Sequence, residues 1–228
     1  MRWITRLFTY LFKRKTVIVN KEIVINNEGD AKENPIDGLR LLPDRAHGVD
    51  LSHHNKGVSI KDLEQDFVFL KSTEGVSFVS PSFDSMAKNL DVAKIPWGSY
   101  HYYRPELDPI KQAKHFISKK LGTLPCVLDI EQKYNDRNTL VLDLRTFLEY
   151  VEKFTGKTPI IYSGYSYLVD LDLPIEFAKY PLWLAWYTEE KKVKAPSPWK
   201  NWTFWQYSES ATVKGIFGKC DANLFKRN

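Results

Sequence analysis

The stretch Pro125-Cys126-Val127-Leu128-Asp129-Ile130-Glu131 is followed by a helical run, Thr139–Phe154, and then by Ile160-Ile161-Tyr162-Ser163. It reads as strand, helix and strand. The first strand starts at a proline and closes in two carboxylates separated by one isoleucine. Side chains alternate between the faces of a strand, so Asp129 and Glu131 project from the same face. Two acids sharing one space repel, and burial raises the cost of ionising both, so their pKa values are driven apart. One protonated acid beside one ionised acid is the equipment for cleaving a glycosidic bond. Taken alone, Asp-x-Glu after an apolar run is equally an edge strand ending in solvated acids, so the rest of the chain has to decide.

Outward from this unit the alternation continues. Strand candidates are Gly48–Leu51, Phe67–Lys71, Ile95–Tyr102, Cys126–Glu131, Ile160–Ser163, Leu182–Tyr187, Thr203–Tyr207 and Lys219–Asp221. Helix candidates follow the first five: Ser59–Asp66, Pro81–Lys94, Asp108–Leu121, Thr139–Phe154 and Ser166–Tyr180, the last interrupted at Pro174. Asp108 before Pro109 is a helix start, and Gly122 and Gly156 are stops. Alternating strand and helix predicts a parallel sheet with right-handed crossovers. Eight strands suit a closed α/β barrel of the TIM type, whose reacting groups gather at the C-terminal strand ends. A doubly wound open sheet is the competitor, but no Gly-x-Gly-x-x-Gly follows the first strand.

The 228 residues hold 33 basic and 28 acidic side chains, with 43% hydrophobic residues and seven Trp. That composition predicts a packed globule. Arg2, Arg6, Lys13, Arg14 and Lys15 account for the whole net charge of +5, so the remainder is formally neutral. A nucleic-acid partner therefore loses its support despite the basic balance. Cys126 and Cys220 are expected as free, buried thiols.

Residues 1–15 read as a basic amphipathic helix, with Ile4, Leu7, Phe8, Leu11 and Phe12 at helical spacing. The apolar stretch is too short to cross a bilayer and lacks a small-residue cleavage site, so no standard cleavable signal peptide is evident. A membrane-surface anchor, a docking peptide and an atypical export signal remain open. Residues 16–45 read as a connecting region, with short strand candidates at Val17–Val19 and Ile23–Ile25 and a polar, turn-rich run at 26–35. The expected division is an N-terminal extension over 1–45 and a catalytic domain over 46–228.

Four acids fall at strand ends: Asp50, Asp129, Glu131 and Asp221. A barrel would bring them to one mouth. Aromatics accompany them, and Tyr100, Tyr102, Tyr162, Trp186, Tyr187, Trp205 and Tyr207 are the candidate substrate-binding residues, since such rings stack on sugars and hydrogen-bond hydroxyls. Trp183 and Trp202 read as core. His53 and His54 are adjacent in an extended segment and should diverge, so no metal is expected. No cofactor is expected either. Tyr162-Ser163-Gly164-Tyr165 is not a Gly-x-Ser-x-Gly elbow.

With these residues together, the chain resembles glycoside hydrolase family 25, the Chalaropsis-type lysozymes (N-acetylmuramidases), which cut peptidoglycan. The stretches that carry the resemblance run in family order from Ala46 to Phe225. They are Gly48-Val49-Asp50-Leu51-Ser52-His53-His54-Asn55, Phe67-Val68-Phe69-Leu70-Lys71-Ser72-Thr73-Glu74-Gly75, Gly98-Ser99-Tyr100-His101-Tyr102 and Val127-Leu128-Asp129-Ile130-Glu131. Ile161-Tyr162-Ser163, Leu182-Trp183-Leu184-Ala185-Trp186-Tyr187, Trp205-Gln206-Tyr207-Ser208 and Asp221-Ala222-Asn223-Leu224-Phe225 complete the set. Ser72 stands where alanine is common, and Lys219-Cys220 replaces a more apolar approach to Asp221.

The resemblance implies a barrel of five β/α units followed by three strands. It implies cleavage, with retention, of the β-1,4 bond between N-acetylmuramic acid and N-acetylglucosamine. Carried over by position, Glu131 is the general acid, Asp129 its partner, Asp50 the acid of the first strand and Asp221 that of the last. The implied partner is the peptidoglycan glycan strand, and the implied place of action is the cell wall, outside the cell or in the periplasm. A catalytically silent sugar-binding barrel, a membrane-associated interaction protein acting through residues 1–15, and a related barrel hydrolase acting on chitin are the alternatives.

Overall fold

The computed structural model describes residues 37–55 and 57–227. The amphipathic segment 1–15 and the strand candidates at 17–25 lie outside the described residues. Among the described residues nine strands form one sheet: β1 (Arg45–Leu51), β2 (Phe67–Glu74), β3 (Phe78–Val79), β4 (Trp97–Tyr102), β5 (Val127–Asp129), β6 (Ile160–Gly164), β7 (Leu182–Ala185), β8 (Phe204–Ala211) and β9 (Cys220–Lys226). Eight of them close a barrel in the order β1-β9-β8-β7-β6-β5-β4-β2, with β1 pairing β2 to complete the ring. The two-residue β3 folds back antiparallel on β2 and extends the wall outside the barrel. The described α-helices are α1 (Phe83–Ala93), α2 (Pro109–Ile117), α3 (Arg137–Thr155) and α4 (Tyr165–Leu171).

Five strands are each followed by a helical crossover, and β7, β8 and β9 then complete the barrel, as expected from the alternation. Two crossovers are shorter than expected. The segment after β1 forms only a 3-10 turn, Ile60–Asp62. The Ser59 N–H donates to the Gly215 carbonyl at 2.7 Å, tying the turn to the β8–β9 loop before a helix can start. The helix expected over Ser166–Tyr180 stops at Leu171, and a 3-10 turn, Ile175–Lys179, follows Pro174. Proline has no N–H to continue the ladder and disfavours helical geometry in the residue before it. Helix α2 begins where expected, with the Asp108 carboxylate accepting from the N–H groups of Ile110 and Lys111. Helix α3 starts at Arg137, two residues earlier than expected, with the Asp136 carboxylate accepting from the Thr139 N–H.

The last strand departs from the parallel expectation. Strand β9 runs antiparallel to both neighbours, while the remaining barrel strands are parallel. The link over 212–219 is too short for the crossover that a parallel return requires. Consequently Asp221 lies near the start of β9, not at the end of a strand, and the antiparallel direction still delivers it to the mouth. Its register partner across the sheet is Asp50.

The barrel interior is stratified. Its lower layers hold Phe67, Phe69, Val127, Phe204 and Phe225, all buried. Two glycines make room for them. A Cβ on Gly48 would lie 2.4 Å from the Phe67 ring, and one on Gly98 would lie 2.8 Å from the Phe69 ring. Leu39 and Leu42 are buried in this inner core, so the packed body takes in part of the stretch read as a connecting region upstream of Ala46. A second layer, between β4–β8 and helices α2–α4, contains Phe116, Phe147, Leu182 and Leu184, and a third, against α1, contains Val68, Leu70 and Trp97. Both cysteines are free and buried.

Candidate active site

On β1, β5 and β9 the inward-facing positions are apolar at the bottom of the barrel and polar at the top. On β1 the series is Ala46, Gly48, Asp50. On β5 it is Val127, Asp129 and, just past the strand end, Glu131. On β9 it runs in reverse, Phe225, Asn223, Asp221. Asp50, Asp129, Glu131 and Asp221 therefore converge on one pocket at the mouth, which they line together with Tyr100, Tyr162 and Trp183. Asp50 and Asp129 are buried, Asp221 is half-buried and Glu131 is exposed at the rim.

A fan of amides and phenols holds Asp50. Its Oδ2 accepts from Asn223 Nδ2 at 2.7 Å and from Gln206 Nε2 at 3.0 Å. Gln206 Oε1 in turn accepts from the hydroxyls of Tyr162 at 3.0 Å and Tyr187 at 2.9 Å. Trp183 Nε1 donates to Asn223 Oδ1 at 2.8 Å. Asp129 is held differently, since its Oδ1 is buried and has no hydrogen-bond partner among the described residues. A buried acceptor left open is costly and marks a place where a ligand donor would fit.

All four carboxyls have raised pKa values. Burial is the largest cause for Asp50, followed by the charge of Asp221; the bonds from Asn223 and Gln206 pull it partly back. Burial also leads for Asp129, followed by the charge of Glu131, and both acids lie well above the ordinary range. For Glu131 burial leads and Lys71 opposes it, while for Asp221 burial leads and a hydrogen bond from Asp50 opposes it. Glu131 stands at the rim, and it is partial desolvation there, followed by the charge of Asp221, that lifts it against Lys71. Acids coupled in this way titrate as a group, and they share protons at pH values where isolated carboxyls would all be charged.

The structure sorts the aromatic candidates. Tyr100 and Tyr162 line the pocket, Tyr102 flanks it, and Tyr187 reaches it through Gln206. Trp205 and Tyr207 do not face it. Phe204 and Gln206 take the inward positions of β8, so strand alternation turns Trp205 and Tyr207 toward the outer layer. Trp186 is also on that side, stacked on Tyr165 with ring centroids 3.9 Å apart. Trp183, read as core, is buried in the inner core and is also a wall of the pocket. Gln206 and Asn223 were missed as site residues, although a polar side chain at an inward position among Phe and Leu was the available signal.

His53 and His54 do not diverge. The chain turns after β1 and their ring centroids lie 4.0 Å apart. Among the described residues no group of three His, Cys, Asp or Glu side chains is placed to hold a metal ion.

Comparison with known proteins matches this arrangement. The profile of Glycosyl hydrolases family 25 fits residues 49–216. The uncharacterized protein YegX of Escherichia coli (strain K12) is 32% identical over 194 residues, spanning 78% of this chain and 69% of that protein. Lysozyme M1 of Streptomyces globisporus is 31% identical over 198 residues, spanning 78% and 67%. The crystal structure of the bacterial lysozyme from Streptomyces coelicolor superposes with a TM-score of 0.74 at 27% identity, over 80% of this chain and 93% of that one. The chain belongs to glycosyl hydrolase family 25 and is a glycoside hydrolase of the lysozyme type.

Proposed function

We propose that the protein hydrolyses the β-1,4 bond between N-acetylmuramic acid and N-acetylglucosamine in bacterial peptidoglycan, with Glu131 as the general acid. The observation that carries this reading is the meeting of Asp50, Asp129, Glu131 and Asp221 in one aromatic-walled pocket. Family membership supports peptidoglycan as the substrate. The catalytic unit is residues 46–228 together with the packed stretch 37–45, and residues 1–36 are an extension.

Glu131 is the acid because it combines a raised pKa with access. Asp129 and Asp50 hold protons more tightly, but they are buried below the rim, while Glu131 stands exposed where a leaving oxygen would pass. A donor for that oxygen must be within hydrogen-bond reach of it. The open Oδ1 of Asp129 is an acceptor suited to the N–H of a substrate acetamido group. This favours participation of the acetamido group over direct attack by Asp129, a known variant of the two-carboxylate scheme. Asp50 and Asp221 supply negative charge around a developing oxocarbenium ion.

The test is release of reducing ends from purified peptidoglycan and from chitin by the wild type and by Glu131→Gln. We expect activity on peptidoglycan alone and its loss in the variant by a factor on the order of 10²–10⁴. Binding of muropeptides without cleavage by the wild type would leave a silent sugar-binding barrel. Vesicle binding that depends on residues 1–15, with no action on either polymer, would leave the membrane-interaction reading. The proposed place of action is the cell wall.

A further inference from the structure

We propose that Phe78 and His53 form a sugar-stacking subsite on the rim, which receives a pyranose ring of the glycan strand outside the acid pocket. This rests on the reading of the substrate as a peptidoglycan glycan strand, and it names the surface that holds sugars not being cut. The acid pocket encloses only about 80 Å³. Sites for drug-sized ligands run to about 300–1,000 Å³, so a strand of several sugars must spread onto the rim.

The topology puts both residues at the mouth. Strand β3 pairs with Thr73 and Glu74, the last two residues of β2, and His53 lies two residues past the end of β1. Their ring centroids are 5.4 Å apart, and His54 adds a third ring 4.0 Å from His53. Phe78 is 39% exposed, although burial would favour so large an apolar ring. Its backbone is nonetheless fixed. Phe78 pairs with Glu74 across the hairpin, and its carbonyl accepts from His115 Nε2 at 2.9 Å. Val76 and Leu107 lie exposed around the same hairpin, where a Cβ on Gly75 would sit 3.0 Å from Leu107 Cδ1. A fixed apolar edge kept in water is a feature of ligand-binding grooves.

His53 supplies a polar handle beside the ring. Its Nδ1 is buried with no hydrogen-bond partner among the described residues. Such an orphaned group is costly, and a sugar hydroxyl, which can both donate and accept, would satisfy it in either tautomer. The platform also adjoins the acids. Lys71 Nζ lies 5.9 Å from the centroid of the Phe78 ring and 4.4 Å from that of the Tyr102 ring, so the two rings share one ammonium. The Tyr102 hydroxyl in turn accepts from Nε2 of Gln132, the residue after Glu131. A strand laid across Phe78 and Tyr102 therefore leads to the segment that carries the proposed acid. Aromatic faces suit the apolar faces of sugar rings, which is why the occupant is a pyranose.

The experiment is calorimetric titration of the full-length Glu131→Gln protein with glycan strands freed of their stem peptides, in lengths from two to eight sugars. Only the longer strands reach a subsite outside the pocket, so affinity should step up with length. In Phe78→Ala on that background the step should shrink about 3- to 10-fold, the worth of one aromatic stack. Phe78→Trp keeps a ring and should keep the step. An undiminished step in Phe78→Ala overturns the proposal. So does a step that shrinks only on strands that retain their peptides, since the ring would then read peptide and not sugar. Should Phe78→Ala fail to fold, Phe78→Leu keeps apolar bulk without the ring face and is held to the same result. The underlying reading fails in other ways. A Glu131→Gln protein that binds no strand of any length sinks the peptidoglycan assignment and the subsite with it. Strand shortening by that protein sinks the acid assignment alone, and the step is then read from the dependence of kcat/KM on strand length.

Discussion

Asp129→Asn should make the protein more stable at neutral pH, and only there. The carboxyl of Asp129 is 5% exposed, one of its oxygens has no partner, and Glu131 crowds it. Its folded-state pKa is therefore well above the ordinary carboxylate value of about 3.9 that it has in the unfolded chain. Between those two values the unfolded chain has released the proton and the folded chain still holds it. The folded state then binds more protons, so stability falls as pH rises through that window and remains reduced above it. Each unit of pKa rise costs about 1.4 kcal/mol. In a domain of this length each kcal/mol is worth roughly 2–4 °C in Tm. An asparagine has no proton to lose, and its amide can donate to Glu131, so the pH-dependent cost disappears. Thermal melts followed by circular dichroism at pH 4.0 and pH 7.5 provide the assay. The variant should melt several degrees above the wild type at pH 7.5, and the two should converge at pH 4.0. Equal gaps at both pH values, or a wild type that melts higher at pH 7.5, would refute the account of Asp129 as a buried, electrostatically strained acid. The expected loss of turnover in the same variant is what makes the strain intelligible, since a site that must hold acids close together costs stability elsewhere.

The barrel was legible because its signal is repeated. Each crossover unit carries its own apolar strand and its own helix start or stop, so an error at Ser59–Asp66 or at Pro174 shortens one connection and leaves the ring intact. Asp50, Asp129 and Glu131 were legible for a related reason, as each closes an apolar run, whereas Asp221 stands at the start of one. What stayed hidden depends on facing and direction, which a single strand does not reveal. Trp205 and Tyr207 share a face, as period-two alternation says, but nothing within β8 states that Phe204 and Gln206 take the inward one. That choice is made by Phe67 and Phe69 on the other side of the barrel, whose rings lie 5.2 Å from Phe204. Trp183 was hidden by its type, since tryptophan serves equally as core and as pocket wall, and here it does both. Lys71 and Glu74 pair at 2.6 Å because the β2–β4 register shifts between Lys71 and Thr73, an irregularity that no pattern of alternating residues announces. The His53–His54 turn failed in the same way, because an extended backbone was assumed where the chain reverses.

Three further outcomes follow from the packing and the hydrogen bonds around the pocket. Gly48→Ala should cost about 1–3 kcal/mol in urea unfolding, because the new Cβ would sit 2.4 Å from a Phe67 ring held between Phe69 and Phe204. Phe67→Leu on that background should recover part of the loss, and a double variant no better than the single one would mean that the ring is not the obstacle. Trp183→Phe should lower affinity for glycan more than it lowers Tm, since it keeps an aromatic wall but leaves Asn223 Oδ1 without its donor; equal catalytic parameters in both proteins would contradict this. Gln206→Met tests the fan around Asp50 most severely. The change removes one of the two amides that donate to Asp50 Oδ2 and the shared acceptor of the Tyr162 and Tyr187 hydroxyls. Tyr162 is buried, so its hydroxyl loses a partner that water cannot replace, at a cost of about 1–3 kcal/mol in urea unfolding. Tyr187 is half exposed and can turn to water, so it adds little. Asp50, with one donor fewer, becomes harder to ionise, and activity should therefore recover only toward higher pH. Stability lost with no change in the pH profile would show that Gln206 braces the two tyrosines and does not tune Asp50.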